Sequence, residues 1–199
     1  IIKTTIAKKI KFNKKKYNKY FNSKILNKIM KNNRFLSFNG VSINSKEVKK
    51  GNLFIAIKGR KKDGHNYVSE AIKNGASFCV ISKNVKNSKR KKFIKFKSTN
   101  TFLKKLAFYK RNFSRAKVIA VTGSSGKTTM KTLLGKILKT FGNTYYSPKS
   151  FNNHYGVPLS LSNLEQDLIL DFLELIYKRY NLMCRCLVGF FSKVVKIKL

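Results

Sequence analysis

The feature that most constrains the fold is a polar loop that joins an apolar segment to an amphipathic one. Residues 117–121 read Lys-Val-Ile-Ala-Val, an apolar run that predicts a buried strand. Residues 128–138 predict a helix with one buried side, because apolar residues recur there at helical spacing: Met130, Leu133, Leu134, Ile137 and Leu138. A strand that runs through a loop directly into a helix is typical of α/β layers built on parallel strands. The chain is therefore predicted to be an α/β protein.

The loop itself has the composition of a phosphate-binding loop. Residues 122–129 read Thr-Gly-Ser-Ser-Gly-Lys-Thr-Thr. The two glycines permit backbone angles and a close approach that side chains would block. Successive N–H groups can then converge on an anion at the N-terminus of the helix. The residues predicted to bind a nucleotide are Gly123, Ser124, Ser125, Gly126, Lys127, Thr128 and Thr129.

Two side chains of this loop have specific roles in the hypothesis. Lys127 places a positive charge beside the β- and γ-phosphates, and the Thr128 hydroxyl is placed to ligate Mg²⁺. The strict pattern of such loops has a glycine where Val121 stands, so the match is partial. The alternative is a Gly/Ser turn that caps a helix and leaves Lys127 solvated.

The region before the loop also alternates between strands and helices. Residues 53–57 and 77–81 are apolar runs that predict buried strands, and residues 68–72 place apolar side chains on one helix face between them. Residues 93–96 predict another strand, and residues 101–110 predict a helix. This order predicts a small α/β domain ahead of the sheet that carries the loop.

The first 33 residues are rich in lysine and asparagine. We favour a solvated basic extension for this region. The alternative is a short amphipathic helix, because Ile25, Leu26, Ile29 and Met30 fall at helical spacing.

The charge balance raises the question of a polyanionic partner. With 45 Lys+Arg against 7 Asp+Glu, the formal net charge is +38, and such an excess drives non-specific binding to phosphate backbones. Only seven of the basic residues are Arg, the side chain that reads bases in bidentate fashion. Lysine, asparagine and isoleucine share A/T-rich codons, which explains their joint abundance without a nucleic-acid function. No specific nucleic-acid partner is expected.

The cellular compartment follows from what the sequence lacks. It has no run of about 18 uncharged apolar residues, so no membrane span is expected. It begins without the apolar segment and cleavage site of a secretory signal. Its cysteines, Cys79, Cys184 and Cys186, form neither a disulfide framework nor a metal-binding pair. We expect a cytoplasmic protein.

Three segments, in order, resemble the Mur ligases, the ATP-dependent amide-bond ligases of peptidoglycan precursor synthesis. Residues 40–59, followed by Asp63-Gly64-His65 and Gly75-Ala76, are similar to the N-terminal substrate domain shared by the E- and F-type enzymes of that family. The loop at residues 122–129 is similar to its nucleotide loop, and residues 151–159 are similar to the segment after that loop in F-type enzymes. The Ser-Ser pair within the loop also fits the F type. The resemblance extends from about residue 36 to about residue 175.

The resemblance implies an enzyme that uses ATP and Mg²⁺. ATP would phosphorylate the terminal carboxylate of UDP-N-acetylmuramoyl-tripeptide, and the amine of D-alanyl-D-alanine would then attack the acyl phosphate, releasing phosphate. Diaminopimelate and lysine both stay open as the third residue of that peptide. The implied organisation is a basic extension at residues 1–33, a UDP-substrate-binding domain at 34–100, the start of a central ATP-binding domain with an incomplete parallel sheet at 101–175, and a divergent tail at 176–199.

The resemblance also implies the roles of site residues. Lys127 and Glu174 would be catalytic, and Thr128 and Glu174 would ligate Mg²⁺. The residues implied to bind substrate are Ser45, Lys46, Asn152 and Asn153. The sequence departs from the family pattern at Asn44 and Lys46, where the family has Asp and Arg. The alternatives are a solvated carboxylate at position 174 and simple turn residues at 152 and 153.

A full-length ligase of this kind would be more than twice as long as this chain. We therefore expect a monomeric N-terminal portion with weak or no ligase activity, and residues 176–199 resemble no ligase segment. Two alternatives stay open, a basic nucleic-acid-associated protein on a ligase-like scaffold and a non-functional fragment.

Overall fold

The computed structural model describes eight segments of the chain. They are residues 14–31, 35–86, 92–114, 116–142, 144–147, 154–164, 170–174 and 194–198. Within them the chain forms two four-stranded parallel sheets with helices packed against them, so the predicted α/β fold class is confirmed. None of the helices in these segments has the length and apolar character needed to cross a membrane.

The first sheet has the strand order β1-β2-β3-β4. Its strands are β1 (Val41–Ser42), β2 (Leu53–Ile55), β3 (Phe78–Ile81) and β4 (Phe93–Lys95). Helix α2 (Val68–Lys73) makes the crossover that parallel neighbours β2 and β3 require. It ends before Gly75, whose φ of 99° supplies the left-handed turn that returns the chain to β3. The three predicted strands and the helix between them are confirmed.

Side chains of the first sheet alternate between its two faces, as the pleat dictates. Leu53 and Ile55 are buried on one face, and Phe54 is buried on the other with Cys79. Helix α2 covers the face of Phe54. Burial raises the pKa of the Cys79 thiol to about 12, so this cysteine is protonated at neutral pH.

Helix α1 (Lys14–Met30) covers the face of the first sheet opposite α2. Its buried apolar residues recur at helical spacing, and each is 7% exposed or less: Phe21, Ile25, Leu26 and Ile29. The favoured prediction of a solvated extension is therefore wrong for this helix, and the alternative of an amphipathic helix is confirmed. The rest of the predicted extension, residues 1–13 and 32–33, lies outside the described segments.

The second sheet has the strand order β6-β7-β5-β8. Its strands are β5 (Lys117–Thr122), β6 (Thr144–Tyr146), β7 (Leu170–Glu174) and β8 (Val194–Lys198). Helix α4 (Lys127–Lys139) follows β5, and helix α5 (Gly156–Ser162) lies between β6 and β7 in the chain. Strand β8 comes from the predicted divergent tail and pairs with β5, so this part of the tail belongs to the sheet.

Helix α3 (Thr99–Phe113) packs on both halves of the molecule. Phe102, Leu103 and Leu106 are buried with the first sheet, whereas Ala107 is buried with residues of β5 and α5. The domain boundary predicted between residues 100 and 101 falls in the first turn of this helix. Helix α3 therefore contacts elements on both sides of that boundary, and the boundary stays a prediction.

Two polar side chains link the second half of the molecule, which contains the second sheet, to the first half, which contains the first sheet. The Lys110 ammonium donates hydrogen bonds to Asn22 Oδ1 on α1 and, at 2.8 Å, to the carbonyl oxygen of Leu164 just after α5. The Asn163 amide accepts from the Val41 N–H at 2.8 Å and donates to the Val41 carbonyl at 3.1 Å. It pairs with the edge of β1 as a neighbouring strand would, which covers that edge.

The burial of α1 predicts a large stability loss for Leu26→Ala. Leu26 is fully buried, so truncation should lower the free energy of unfolding by about 2–5 kcal/mol. The matched control is Tyr20→Ala on the same helix, where the side chain is 60% exposed and the expected change is within about 0.5 kcal/mol. Urea unfolding followed by circular dichroism measures both. Equal, small losses for the two variants would show that α1 does not belong to the core.

Candidate functional site

The phosphate loop (residues 122–129) lies at the carboxyl end of strand β5, inside the second sheet. Strand β5 is flanked by β7 on one side and β8 on the other. It ends at Thr122, and helix α4 begins at Lys127. The strand, loop and helix therefore follow each other as the sequence predicted. In parallel α/β sheets this edge is where ligands bind.

The backbone of the loop is shaped by Gly126. This residue has φ 73° and ψ −8°, the left-handed conformation, and it is the N-cap of α4. Nothing lies within 4 Å of the position that a Cβ would take, so the glycine is needed for its backbone angles and leaves open space above the helix end. Ser124, Ser125 and Gly126 are all exposed, so the loop is accessible to a ligand from solvent.

The Lys127 ammonium already lies on the loop. Its Nζ donates to the carbonyl oxygens of Gly123 at 2.7 Å and Ser124 at 3.0 Å. The positive charge is thereby held at the centre of the loop instead of extending into solvent. Thr128 and Thr129 are exposed in the first turn of α4, and they form one wall of an open depression that continues along the helix to Lys136.

Glu174 reaches the same edge of the sheet through strand pairing. It is the last residue of β7 and lies opposite Val121 of β5, immediately before the loop. The backbone thus places a carboxylate-bearing position next to the end of the strand that leads to the loop and to Thr128. Hydroxyl and carboxylate oxygens are ligands that Mg²⁺ accepts, so this pair of positions fits the metal. Among the described residues no cluster of three or more His, Cys, Asp and Glu side chains forms a second candidate site.

The buried side of α4 differs from the prediction. Lys131 and Gly135 are buried, whereas Leu133 and Ile137 are 53% and 49% exposed. The physical reason is close packing, because a Cβ at position 135 would collide with the ring of Tyr146 on β6. The helix turns its small residue to the ring, and the predicted apolar stripe is exposed in part. In the sequence, the buried face could have been found from its spacing, because Lys131 and Gly135 lie four and eight residues after Lys127.

The two substrate residues predicted in the first half, Ser45 and Lys46, differ in their exposure to solvent. Ser45 is buried in a short 3-10 turn, and its hydroxyl donates to Glu70 at 2.7 Å. The Asn74 amide donates to the Ser45 carbonyl at 3.0 Å. Lys46 is exposed, and its N–H is capped by the Asn44 side chain. Ser45 is therefore hydrogen-bonded within the protein, whereas Lys46 is exposed to solvent; their predicted substrate binding stays a prediction. Residues 152 and 153 lie outside the described segments.

His65 joins two loops at the end of the first sheet. It is 4% exposed, and its Nδ1 lies 2.6 Å from Asp63 Oδ1. Its Nε2 accepts from the Ser82 N–H at 3.0 Å, so the proton is on Nδ1 and is donated to Asp63. Partial burial would raise the pKa of Asp63, but hydrogen bonds from Lys83 and His65 outweigh it and hold that pKa well below 3.8. The hydrogen bonds of His65 thus connect the loop at Asp63 with the loop at Ser82.

Profiles of protein families match both halves of the chain. The profile described as Mur ligase family, catalytic domain, matches residues 37–111, and the Mur ligase middle domain matches residues 121–178. The chain belongs to the Mur ligase family. The first match includes α3 as far as Arg111, and the second begins at the last residue before the phosphate loop, in agreement with the two sheets.

Curated relatives of this Mur ligase chain are F-type and E-type enzymes. UDP-N-acetylmuramoyl-tripeptide–D-alanyl-D-alanine ligase of Rickettsia prowazekii is 41% identical over 137 residues, which cover 69% of this chain and 30% of the relative. The enzyme of that name from Escherichia coli is 31% identical over 140 residues, or 70% of this chain and 30% of the relative. The chain thus spans about 30% of the length of these relatives.

Solved structures agree with this family membership. MurF from Thermotoga maritima, crystallised in complex with ADP, superposes with a TM-score of 0.58 at 34% identity, over 74% of this chain and 35% of that one. MurF from Acinetobacter baumannii superposes with a TM-score of 0.61 at 28% identity, over 77% and 35% of the two chains.

The Asp63 network predicts an acid-dependent loss of stability. Because the pKa of Asp63 is lower in the folded than in the unfolded state, its contribution is complete above about pH 3.8 and is lost as the pH falls below that value. Asp63→Asn should therefore lower the stability near neutral pH and make the acid limb of the stability curve less steep. Urea midpoints measured between pH 3 and pH 7 test this. Parallel curves for the variant and the parent chain would contradict the assignment.

Proposed function

We propose that this Mur ligase chain carries the nucleotide-binding and UDP-substrate-binding parts of an F-type ligase. Such an enzyme joins D-alanyl-D-alanine to UDP-N-acetylmuramoyl-tripeptide at the expense of ATP, a step in peptidoglycan precursor synthesis and hence in cell-wall growth. The observation that carries the proposal is the phosphate loop, with Gly126 left-handed and Lys127 bonded to the loop carbonyls, at the carboxyl end of a central parallel strand. The names of the relatives support the same function.

The loop residues would act by binding and charge stabilisation. Backbone N–H groups from Gly123 to Thr129 would hold the phosphates of ATP, and Lys127 would leave the loop carbonyls to contact the terminal phosphate. Thr128 and Glu174 would hold Mg²⁺, which neutralises charge on the phosphates. The substrate carboxylate would be phosphorylated there, and the resulting acyl phosphate would be attacked by the amine of the dipeptide.

The F type is preferred over the E type because of the length of the match. F-type relatives align over 137 to 140 residues, whereas the 2,6-diaminopimelate ligase of Clostridioides difficile aligns over 105 residues at 42% identity. For substrate binding we propose Lys46 and Ser45 near the UDP moiety and Asn152 and Asn153 near the cleft. A cytoplasmic monomer fits these substrates, because ATP and UDP-linked precursors are made in that compartment.

The first test is nucleotide binding by the chain itself. We expect it to bind the fluorescent analogue mant-ADP in the presence of Mg²⁺, and Lys127→Ala to weaken the Kd by about tenfold to a hundredfold, the effect of losing a hydrogen bond to a charged group. The control is Lys104→Ala, which removes an exposed lysine of α3 and should leave the Kd unchanged. Binding that is insensitive to Lys127 would contradict the assignment of the loop.

The second test is turnover. In a coupled assay of ADP release with UDP-N-acetylmuramoyl-tripeptide and D-alanyl-D-alanine, we expect these 199 residues to give weak or no activity. The reason is that the aligned part is only 30% of the length of the relative, and a reaction of this kind needs all its reacting groups to be held together in one site. Robust turnover by this chain would refute the expectation, and it would place the whole catalytic apparatus within the two sheets described here.

A further inference from the structure

One side of helix α4 is a row of residues four positions apart. The row consists of Lys127, Lys131, Gly135 and Lys139, which lie above one another on one face of the helix. Lys139 lies over the Tyr146 ring with Nζ 5.0 Å from its centroid, and Gly135 contacts the same ring. The C-terminal part of the row therefore faces β6, and its N-terminal member is Lys127 of the phosphate loop.

Lys131 is the only charged member of this row that is buried. Its side chain is 1% exposed, and its Nζ donates to the Ser147 hydroxyl at 3.1 Å. Ser147 is itself 2% exposed. Removing an ammonium group from water is costly, and an apolar residue of similar length would fill the same space without that cost. The hydrogen bond between Lys131 and Ser147 is therefore better explained by the relative position of α4 and the end of β6 that it fixes than by a gain in folding stability.

The contact joins two elements at the edge of the sheet where ligands bind. Ser147 directly follows β6, and Tyr146 lies opposite Phe172 on β7, two residues before Glu174. Lys131 lies one helical turn after Lys127 and Thr128. The hydrogen bond thus sets the distance between the first turn of α4 and the ends of β6 and β7.

We propose that Lys131 is a positioning residue of the nucleotide site, acting through Ser147. It holds the end of β6 against α4, so that the loop residues of α4 and the carboxyl end of the neighbouring strand β7 keep the spacing that a Mg²⁺-bound nucleoside diphosphate or triphosphate requires. This inference rests on the proposed nucleotide binding. It adds to that function a residue that does not touch the ligand.

The test combines five variants of the full chain, one of them a control, with mant-ADP and Mg²⁺ as the probe. Lys131→Met removes the ammonium and keeps the length of the side chain, Ser147→Ala removes its acceptor, and the double variant removes both. Ser147→Thr keeps the hydroxyl. Lys104→Met serves as the control for loss of one exposed charge. Thermal unfolding is recorded for each variant, so that Kd values are compared only between folded samples.

We expect Lys131→Met and Ser147→Ala each to weaken the Kd by about tenfold, as is typical for residues that support a binding site from behind. The double variant should bind no more weakly than Lys131→Met alone, because the two residues act as a unit. Ser147→Thr and Lys104→Met should bind as the parent chain does. If Lys131→Met fails to fold, the comparison of Ser147→Ala with Ser147→Thr carries the test.

Three results would overturn the inference. The first is an unchanged Kd for folded Lys131→Met or Ser147→Ala, with only the thermal midpoint lowered, which is the signature of a purely structural contact. The second is additive losses in the double variant, which would show that Lys131 acts by its charge alone. The third is a parent chain that binds no mant-ADP, in which case the proposed function fails and this inference with it. If the parent chain binds mant-ADP and either of the first two results is found, this inference fails but the proposed function does not.

Discussion

The structure depends on one buried cation, the ammonium group of Lys110. It is 3% exposed and binds Asn22 of α1 and the carbonyl of Leu164 after α5, with the rings of Phe21 and Phe38 nearby at 4.9 and 5.7 Å. A buried ammonium must keep its partners, because each lost hydrogen bond exposes the full cost of removing the charge from water. Three segments distant in sequence are therefore fixed to one point on α3.

That point determines where the phosphate loop sits. Helix α3 ends at Phe113 and β5 begins at Lys117, so a helix held at Lys110 also sets the start of the strand that leads to the loop. The Asn163 amide adds a second link from the end of α5 to β1. The two sheets are thus joined through directional hydrogen bonds as well as through apolar contact, which gives a defined orientation between the first sheet and the second.

Sequence patterns predicted the elements well and the packing of charged residues poorly. The apolar runs of β2, β3 and β5 and the loop before α4 could be predicted because strand burial and phosphate binding each impose a local composition. The burial of Lys110 and Lys131 could not, because a pattern treats lysine as exposed, and only tertiary partners such as Asn22 and Ser147 make its burial tolerable. The burial of α1 was also missed for this reason, because its many lysines made the segment resemble a solvated extension although it carries an apolar face. The pattern of apolar residues also did not predict the packing of Gly135, where a Cβ would collide with the ring of Tyr146.

The partly exposed apolar side of α4 has a consequence for how the protein behaves at high concentration. Three apolar side chains spaced four residues apart are exposed on this side of α4 and just after it: Leu133 (53%), Ile137 (49%) and Phe141 (75%). Copies of a molecule with a formal charge of +38 repel one another in dilute buffer. At 0.1 M salt the repulsion is screened beyond about 10 Å, while the attraction between apolar surfaces persists. Colloidal stability is therefore governed by ionic strength, and added salt favours self-association.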